Sequence, residues 1–168
     1  MFDDELRELA RRVLDRCRAS GLRLATAESC TGGLVVACLT EIPGSSDVVD
    51  RGYVTYANEA KRQMLGVRAD SLARFGAVSE IVAREMAEGA LARSGVDLAV
   101  AVTGIAGPDG GSAEKPVGLV HFAALRRGGA PVHRRCVFAG DRRVIRRAAV
   151  ATALAMLLER AEGTPVIV

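Results

Sequence analysis

The sequence predicts a three-layer α/β/α fold around a mixed, mostly parallel sheet of about five strands. Helical and strand-like segments alternate up to Val102, two strand-like segments then follow one another, and a long apolar helix closes the chain. Alternation favours parallel strands with helices on both faces of the sheet. A short connector between consecutive strands favours an antiparallel hairpin. The chain has 168 residues, the length of one ordinary domain, which we expect to span residues 1–168.

The first half of the chain alternates helices and strands. Apolar residues recur at helical spacing over residues 2–18, and Gly21 follows as a stop signal. β-Branched and aromatic residues favour a strand over 48–56. The elements predicted here are a helix over 2–18, strands over 22–27 and 48–56, and helices over 34–42, 58–65 and about 70–75.

The second half adds three strands and two helices. Ser79 and Glu80 are typical of a helix start, and the unbroken apolar run over 98–102 is typical of a strand buried on both faces. Asp141 is a good helix cap. The predicted elements are a helix from Ser79 to about Arg93, a strand over 98–102, a hairpin of strands over 119–125 and 132–138, and a final helix of about 20 residues after Asp141.

Composition excludes several classes of function. Aromatic residues make up only 4% of the chain and Trp is absent, which disfavours a protein that stacks single-stranded nucleic acid. No apolar run approaches the ~20 residues that span a bilayer, and the acidic, amphipathic start is not a signal peptide, so we expect a cytoplasmic protein. Four Cys without CxxC spacing and two His predict reduced thiols, no metal and no cofactor.

Lysine is rare in this chain. The chain has 23 basic residues, of which only Lys61 and Lys115 are Lys and the rest are Arg. An amine can lose its proton near neutral pH when it is desolvated, whereas a guanidinium cannot. A Lys here therefore indicates a position that Arg cannot fill.

Small and polar residues gather at four corners where strand ends meet helix starts, the usual place for a site in an α/β sheet. The corners are residues 27–33, 56–61, 103–118 and 139–143. In the first, Ser29 could be a nucleophile beside unsatisfied backbone N–H groups, or Ser29 or Thr31 could cap the next helix. Cys30 is a rival nucleophile. The turn also resembles a phosphate cradle, but it lacks the P-loop pattern.

Each of the other three corners, taken by itself, also allows more than one interpretation. Lys61 near a helix start could be a neutral general base, with Tyr56 nearby, or a solvated Lys paired with Glu. The glycine-rich loop 104–118 after Thr103 could be a lid or a mobile surface loop. Arg142 in a first helical turn could hold a phosphate or belong to a solvated face, and eight Arg over 126–147 leave a nucleic-acid surface as an alternative.

Together the corners favour metal-free acyl transfer by a Ser–Lys pair, and the same blocks resemble the CinA carboxy-terminal domain family. The resemblance covers residues of about 5–160. It rests on TAESCTGG (26–33), GYVTYANEAK (52–61), GAVSE (76–80), TGIAGPDGGSAEKPVG (103–118) and FAGDR (138–142). It implies a three-layer α/β/α fold and a stand-alone member without the family's amino-terminal domain.

The resemblance also implies an activity, hydrolysis of the carboxamide of nicotinamide mononucleotide (NMN) in pyridine-nucleotide salvage. It implies Ser29 as nucleophile, Lys61 as general base and Tyr56 as an assisting hydroxyl. The residues that it implies for substrate contact, with oxyanion donors from the 28–33 turn, are Cys30, Thr31, Gly32, Gly33, Thr103, Gly104 and Arg142. The competing class is a non-catalytic nucleotide- or partner-binding module. The apolar breadth of the last helix predicts a homo-oligomer, a dimer or higher.

Overall fold

The computed structural model describes residues 2–163 and shows a five-stranded sheet between two layers of helices. Its elements are α1 (Asp4–Ala19), β1 (Leu24–Glu28), α2 (Leu34–Thr40), a 3₁₀ turn (Ser45–Asp47), β2 (Val49–Val54), α3 (Asn58–Leu65), α4 (Ala69–Phe75), α5 (Glu80–Ser94), β3 (Leu98–Gly104), β4 (Leu119–Arg126), β5 (Val132–Val137) and α6 (Arg142–Glu162). The predicted fold class is confirmed.

The strand order across the sheet is β2-β1-β3-β4-β5. β1 pairs in parallel with both β2 and β3, whereas β4 is antiparallel to β3 and to β5. β5 therefore points the same way as the first three strands, and only β4 runs against them. The short connection after β4 forms the predicted hairpin.

The two faces of the sheet bury different side chains. Leu98, Val100 and Val102 of β3 pack with α1, α2 and α6, while Ala99 and Ala101 of the same strand pack with α5. This alternation follows from the two-residue period of a strand. The small Ala side chains suit a helix that lies close to the sheet.

Contacts within the chain account for part of the wide apolar surface of the final helix, α6. It packs on β3 and β4 with one side and on α1 with another. Ile145, Leu154 and Leu157 are fully buried within the chain. Contact with α1 therefore buries part of the apolar surface of α6 from which a homo-oligomer was predicted.

Several element boundaries differ from the prediction, among them the ends of β1 and α2. β1 extends through Glu28, because Glu28 stays in register with Val54 on one side and Val102 on the other. α2 ends at Thr40 rather than Ile42, since the chain turns at Pro43 into the 3₁₀ turn. The carboxyl ends of β2, β1 and β3 therefore lie side by side. No helix within residues 2–163 is long and apolar enough to cross a membrane.

Candidate active site

Ser29 lies in a tight turn between β1 and α2. Its amide donates to the Val102 carbonyl of β3 at 2.9 Å, and its carbonyl accepts from the Gly32 amide at 3.0 Å. Gly32 and Gly33 have φ of +61° and +95°, the left-handed region that glycine tolerates without strain. The two glycines therefore let the chain turn from the strand into the helix while Ser29 stays at the sheet edge.

The start of α2 is capped by neither Ser29 nor Thr31. Gly33 is the N-cap residue and provides no side-chain bond. The Glu28 carboxylate instead accepts the amides of Gly33 and Val35 at Oε2 and the amide of Val36 at Oε1. The cap interpretation of Ser29 and Thr31 is therefore wrong. A phosphate cradle at this helix start is also excluded, because an internal carboxylate occupies it.

Lys61 reaches Ser29 from the first turns of α3. Its side chain is buried, with a relative exposure of 1% for the residue. Its Nζ lies 3.0 Å from Ser29 Oγ, 2.8 Å from the Thr55 carbonyl and 3.2 Å from the Tyr56 carbonyl. Burial lowers the pKa of Lys61 to about 8, because desolvation disfavours the ammonium form.

This coordination suits a neutral amine as well as an ammonium. The two carbonyl oxygens accept two N–H groups from Nζ. A neutral amine then has one lone pair left, and the remaining neighbour is the Ser29 hydroxyl. Lys61 can therefore accept the Ser29 proton without rearranging its other bonds, which is what a general base for a serine nucleophile requires.

Cys30 is a poor nucleophile in this setting. Its side chain is buried, and burial raises the pKa of the thiol to about 12. The thiolate is the reactive form of cysteine, and it is scarce at neutral pH when the pKa is that high. The structure therefore favours Ser29 over Cys30.

Tyr56 and Arg142 meet at the mouth of the site. The Tyr56 hydroxyl accepts a long hydrogen bond from Arg142 Nη2 at 3.4 Å, and Arg142 Nη1 donates to the Gly107 carbonyl at 2.8 Å. Tyr56 is 64% exposed. Tyr56 touches Lys61 through its main-chain carbonyl, and its hydroxyl faces Arg142 instead. Arg142 is the first residue of α6, whose amide at Val144 is capped by the Asp141 side chain as predicted.

The far wall of the site is the segment 75–79 before α5. Thr103 Oγ1 donates to the Ala77 carbonyl at 2.8 Å. Lys115 Nζ, from the glycine-rich loop, donates to the carbonyls of Phe75 and Val78 at 2.6 and 2.8 Å. The loop and the wall are thus tied together by Lys115, which was not among the predicted site residues. Its rarity in an Arg-rich chain was the signal.

These elements enclose a cavity of about 190 Å³ at the carboxyl edge of the sheet. Its lining residues are Ser29, Cys30, Tyr56, Asn58, Lys61, Ala77, Val78, Thr103, Gly104, Ala106 and Arg142. The structure thus brings seven of the ten predicted site residues to one cavity. The other three, Thr31, Gly32 and Gly33, shape the turn and do not line the cavity.

Four lining residues were missed by sequence analysis. Asn58, Ala77, Val78 and Ala106 carry no reactive group that a search for catalytic chemistry would select. Ala77 and Val78 belong to the GAVSE block, which was the available signal. A Cβ at the predicted residue Gly104 would lie 2.8 Å from the Leu119 carbonyl oxygen, so close packing on β4 explains glycine there.

The arginines over 126–147 do not form one free basic surface. Most reach different partners within residues 2–163. The contacts are Arg126 with the Arg160 carbonyl, Arg127 with the Val96 carbonyl, Arg134 with Glu159, Arg142 with the Gly107 carbonyl, Arg146 with the Thr31 carbonyl, and Arg147 with Asp3 and Glu5. This dispersal disfavours the nucleic-acid alternative. In the part of the chain that the structure describes, residues 2–163, no group of three or more His, Cys, Asp or Glu is placed to hold a metal ion.

The fold and the site together define an α/β protein with a hydrogen-bonded serine–lysine pair at the carboxyl edge of its sheet. Residues 6–161 match the model of the CinA C-terminal domain. The chain therefore belongs to the CinA C-terminal domain family.

Named relatives agree with this assignment. The chain is 52% identical over 160 residues to the nicotinamide-nucleotide amidohydrolase PncC of Escherichia coli (strain K12), covering 95% of this chain and 97% of that protein. It is 56% identical over 145 residues to a putative competence-damage inducible protein of Symbiobacterium thermophilum, covering 82% of this chain and 34% of that protein. The crystal structure of competence/damage inducible protein CihA from Agrobacterium tumefaciens superposes with a TM-score of 0.92 at 57% identity, covering 94% of this chain and 96% of that one.

Proposed function

We propose that this protein is a nicotinamide-nucleotide amidohydrolase that converts NMN to nicotinic acid mononucleotide and ammonia. The observation that carries the proposal is the 3.0 Å hydrogen bond between Ser29 Oγ and the buried Lys61 Nζ, inside a cavity with Arg142 at its mouth. The 52% identity to a relative of that name over 97% of its length supports the choice of substrate. We place the reaction in cytoplasmic pyridine-nucleotide salvage, where the four free cysteines would stay reduced.

The first half of the reaction forms an acyl-enzyme. Neutral Lys61 takes the proton of Ser29 Oγ as that oxygen attacks the carboxamide carbon of NMN. The carbonyl oxygen becomes a tetrahedral oxyanion, which needs preorganised donors. Other amides of the turn, at Ser29, Gly32 and Gly33, already donate to protein oxygens. We therefore assign the oxyanion to the amide of Cys30, which lines the cavity.

The second half returns the proton and regenerates the enzyme. Protonated Lys61 donates to the amide nitrogen, the C–N bond breaks, and ammonia leaves with Ser29 esterified. A water molecule gives its proton to Lys61 and attacks the ester, and the Ser29–acyl bond breaks to release the carboxylic acid. The proton returns to Ser29 Oγ. Tyr56, whose hydroxyl faces Arg142, orients the substrate beside that guanidinium.

Arg142 binds the phosphate of NMN. Its guanidinium lies at the cavity mouth on the first turn of α6. Among residues 2–163 it is hydrogen-bonded to the Gly107 carbonyl and, at 3.4 Å, to the Tyr56 hydroxyl, so a phosphate can displace the longer of these bonds. Arg142→Ala should raise KM for NMN about 10- to 100-fold, the cost of one charge-assisted interaction. KM for nicotinamide riboside, which lacks the phosphate, should change little.

The control for this prediction is Arg143→Ala, because Arg143 is the next residue of α6 and does not line the cavity. Steady-state kinetics on both substrates give the answer. Equal losses on NMN and nicotinamide riboside would remove Arg142 from the phosphate role.

The rate should depend on pH through Lys61. The pKa of Lys61 is lowered to about 8 by burial, and the reactive form is the neutral amine. The neutral fraction grows as pH rises through the pKa, so kcat/KM should increase from pH 6.5 to about pH 8 and then level off. Initial rates over pH 6–9.5 at constant ionic strength measure this. A profile that is flat or falls over pH 6.5–8 would contradict a lysine base.

The product is the direct test of the proposed activity. Chromatography of a reaction with NMN should show nicotinic acid mononucleotide and ammonia in equal amounts. Formation of nicotinamide instead would indicate cleavage of the glycosidic bond and would overturn the proposal. The predicted homo-oligomer is a separate matter, which light scattering of the purified protein decides.

A further inference from the structure

Glu28 is a buried acidic residue immediately before the nucleophile. It is the last residue of β1, its side chain is fully buried, and within residues 2–163 no basic side chain is hydrogen-bonded to it. A buried carboxylate without an ion-pair partner is costly unless hydrogen bonds replace its water shell. Glu28 has four such hydrogen bonds, so its burial is tolerated, but the presence of a carboxylate at this position still needs an explanation beyond packing.

Each oxygen of the Glu28 carboxylate accepts two donors. Oε1 accepts from Thr26 Oγ1 at 3.0 Å and from the Val36 amide at 2.9 Å. Oε2 accepts from the amides of Gly33 at 3.1 Å and Val35 at 3.0 Å. All three amide partners can only donate, so an ionised carboxylate fits the site and a carboxamide does not. A glutamine would place its NH₂ group against at least one backbone N–H in either orientation.

These hydrogen bonds connect the two ends of the turn that carries Ser29, residues 29–33. The backbone of Glu28 is fixed in the sheet between Val54 and Val102, and its side chain is fixed to the first turn of α2. The residues between these two anchors are 29–33, which carry Ser29 Oγ and the amide of Cys30. A single side chain therefore links the two ends of the turn.

We propose that Glu28 is a positioning residue that holds Ser29 and the oxyanion-donating amide of Cys30 in attacking geometry. This inference rests on the proposed function of Ser29. Glu28 does not line the cavity, and the residues proposed to bind the substrate, Arg142 and Tyr56, belong to other elements. Loss of the carboxylate should therefore lower kcat and leave KM nearly unchanged. A misplacement of reacting groups by about 1 Å costs on the order of 100-fold in rate.

The test compares Glu28→Gln with Thr26→Val. Glu28→Gln keeps the shape of the side chain and breaks the match to backbone donors, whereas Thr26→Val removes one donor and leaves the three helix amides in place. We expect kcat on NMN to fall about 100-fold in Glu28→Gln, with KM within about threefold of wild type. In Thr26→Val kcat should fall less than about fivefold. Circular dichroism and thermal melts show that each variant is folded.

A second measurement does not depend on NMN. A fluorophosphonate labels a serine nucleophile through a tetrahedral centre whose oxygen needs the same donor. Glu28→Gln should be labelled about 100-fold more slowly than wild type, and Glu28→Asp, which keeps the charge, should recover part of the rate. If wild type is labelled and does not hydrolyse NMN, the proposed substrate is wrong and the positioning role is still tested.

Three outcomes would overturn the positioning role. The first is a folded Glu28→Gln variant with kcat and labelling rate near wild type, even if its melting temperature falls. The second is a rise in KM that accounts for the whole loss. The third is a wild type whose Ser29 is neither labelled nor required for turnover. If Glu28→Gln does not fold, Glu28→Asp decides, and a kcat equal to wild type in that variant counts against the role.

Discussion

Ser29→Ala should abolish turnover while leaving the protein folded and able to bind NMN. We expect kcat to fall by about 10⁴-fold or more, the range seen when a serine nucleophile with an adjacent base is removed. Ser29 Oγ makes its hydrogen bond to Lys61, and the backbone of Ser29 is held by Val102 and Gly32. Replacing the hydroxyl by hydrogen therefore removes the attacking atom without removing the bonds that hold the turn.

The matched control for Ser29→Ala is Ser46→Ala, because Ser46 is an exposed serine in the 3₁₀ turn away from the cavity. Its kcat should equal that of wild type. Isothermal calorimetry with NMN should give similar affinities for Ser29→Ala and wild type, since Arg142 is untouched. A Ser29→Ala variant that retains a tenth of wild-type kcat would rule out Ser29 as the nucleophile.

Lys61→Arg should be nearly as damaging as loss of the nucleophile, although it keeps a positive charge. We expect kcat to fall by about 10³- to 10⁴-fold. A guanidinium stays protonated at every pH that the enzyme survives, so it cannot accept the Ser29 proton. It is also broader than an ammonium and must fit between the Thr55 carbonyl, the Tyr56 carbonyl and Ser29.

Two comparisons separate chemistry from packing at position 61. Lys61→Met removes the base without adding bulk, and it should lose as much kcat as Lys61→Arg, with no rise in rate between pH 6.5 and 8. Arg62→Lys changes the neighbouring exposed residue of α3 and should behave as wild type. Near-wild-type kcat in a folded Lys61→Arg variant would rule out a general-base role for Lys61.

The fold was predictable because its local signals agree with one another. Apolar periodicity, apolar runs and β-branched content located every α-helix and strand, and the predicted caps Ser79 and Asp141 accept the amides of Val82 and Val144. The short connector around Gly128 predicted the hairpin of β4 and β5. The predicted end of β1 at Ala27 is one residue short, because an acidic residue at the end of an apolar strand is interpreted from sequence as the start of a loop. Only its pairing with neighbouring strands shows that Glu28 belongs to β1.

The site could be predicted where a residue with reactive chemistry is of a rare type or stands at an unusual position in the sequence. Lys61 was selected because Arg is used almost everywhere else, and Ser29 because it lies in a tight turn just before a predicted helix start, beside unsatisfied backbone N–H groups. Residues that act through the backbone gave no such signal. Ala77 and Val78 form the wall through carbonyl groups that Thr103 and Lys115 bind. Glu28 caps amides five to eight residues ahead of it, a spacing that no common capping pattern includes.

The proposed activity is tested most directly by ammonia release from NMN by the purified protein, in buffer with EDTA and beside Ser29→Ala. The structure predicts steady release by wild type, unaffected by EDTA, and none above background from Ser29→Ala. Release by neither protein, while calorimetry shows that wild type binds NMN, would contradict the proposal and make the protein a nucleotide-binding module. Release by both would show that Ser29 is not the nucleophile.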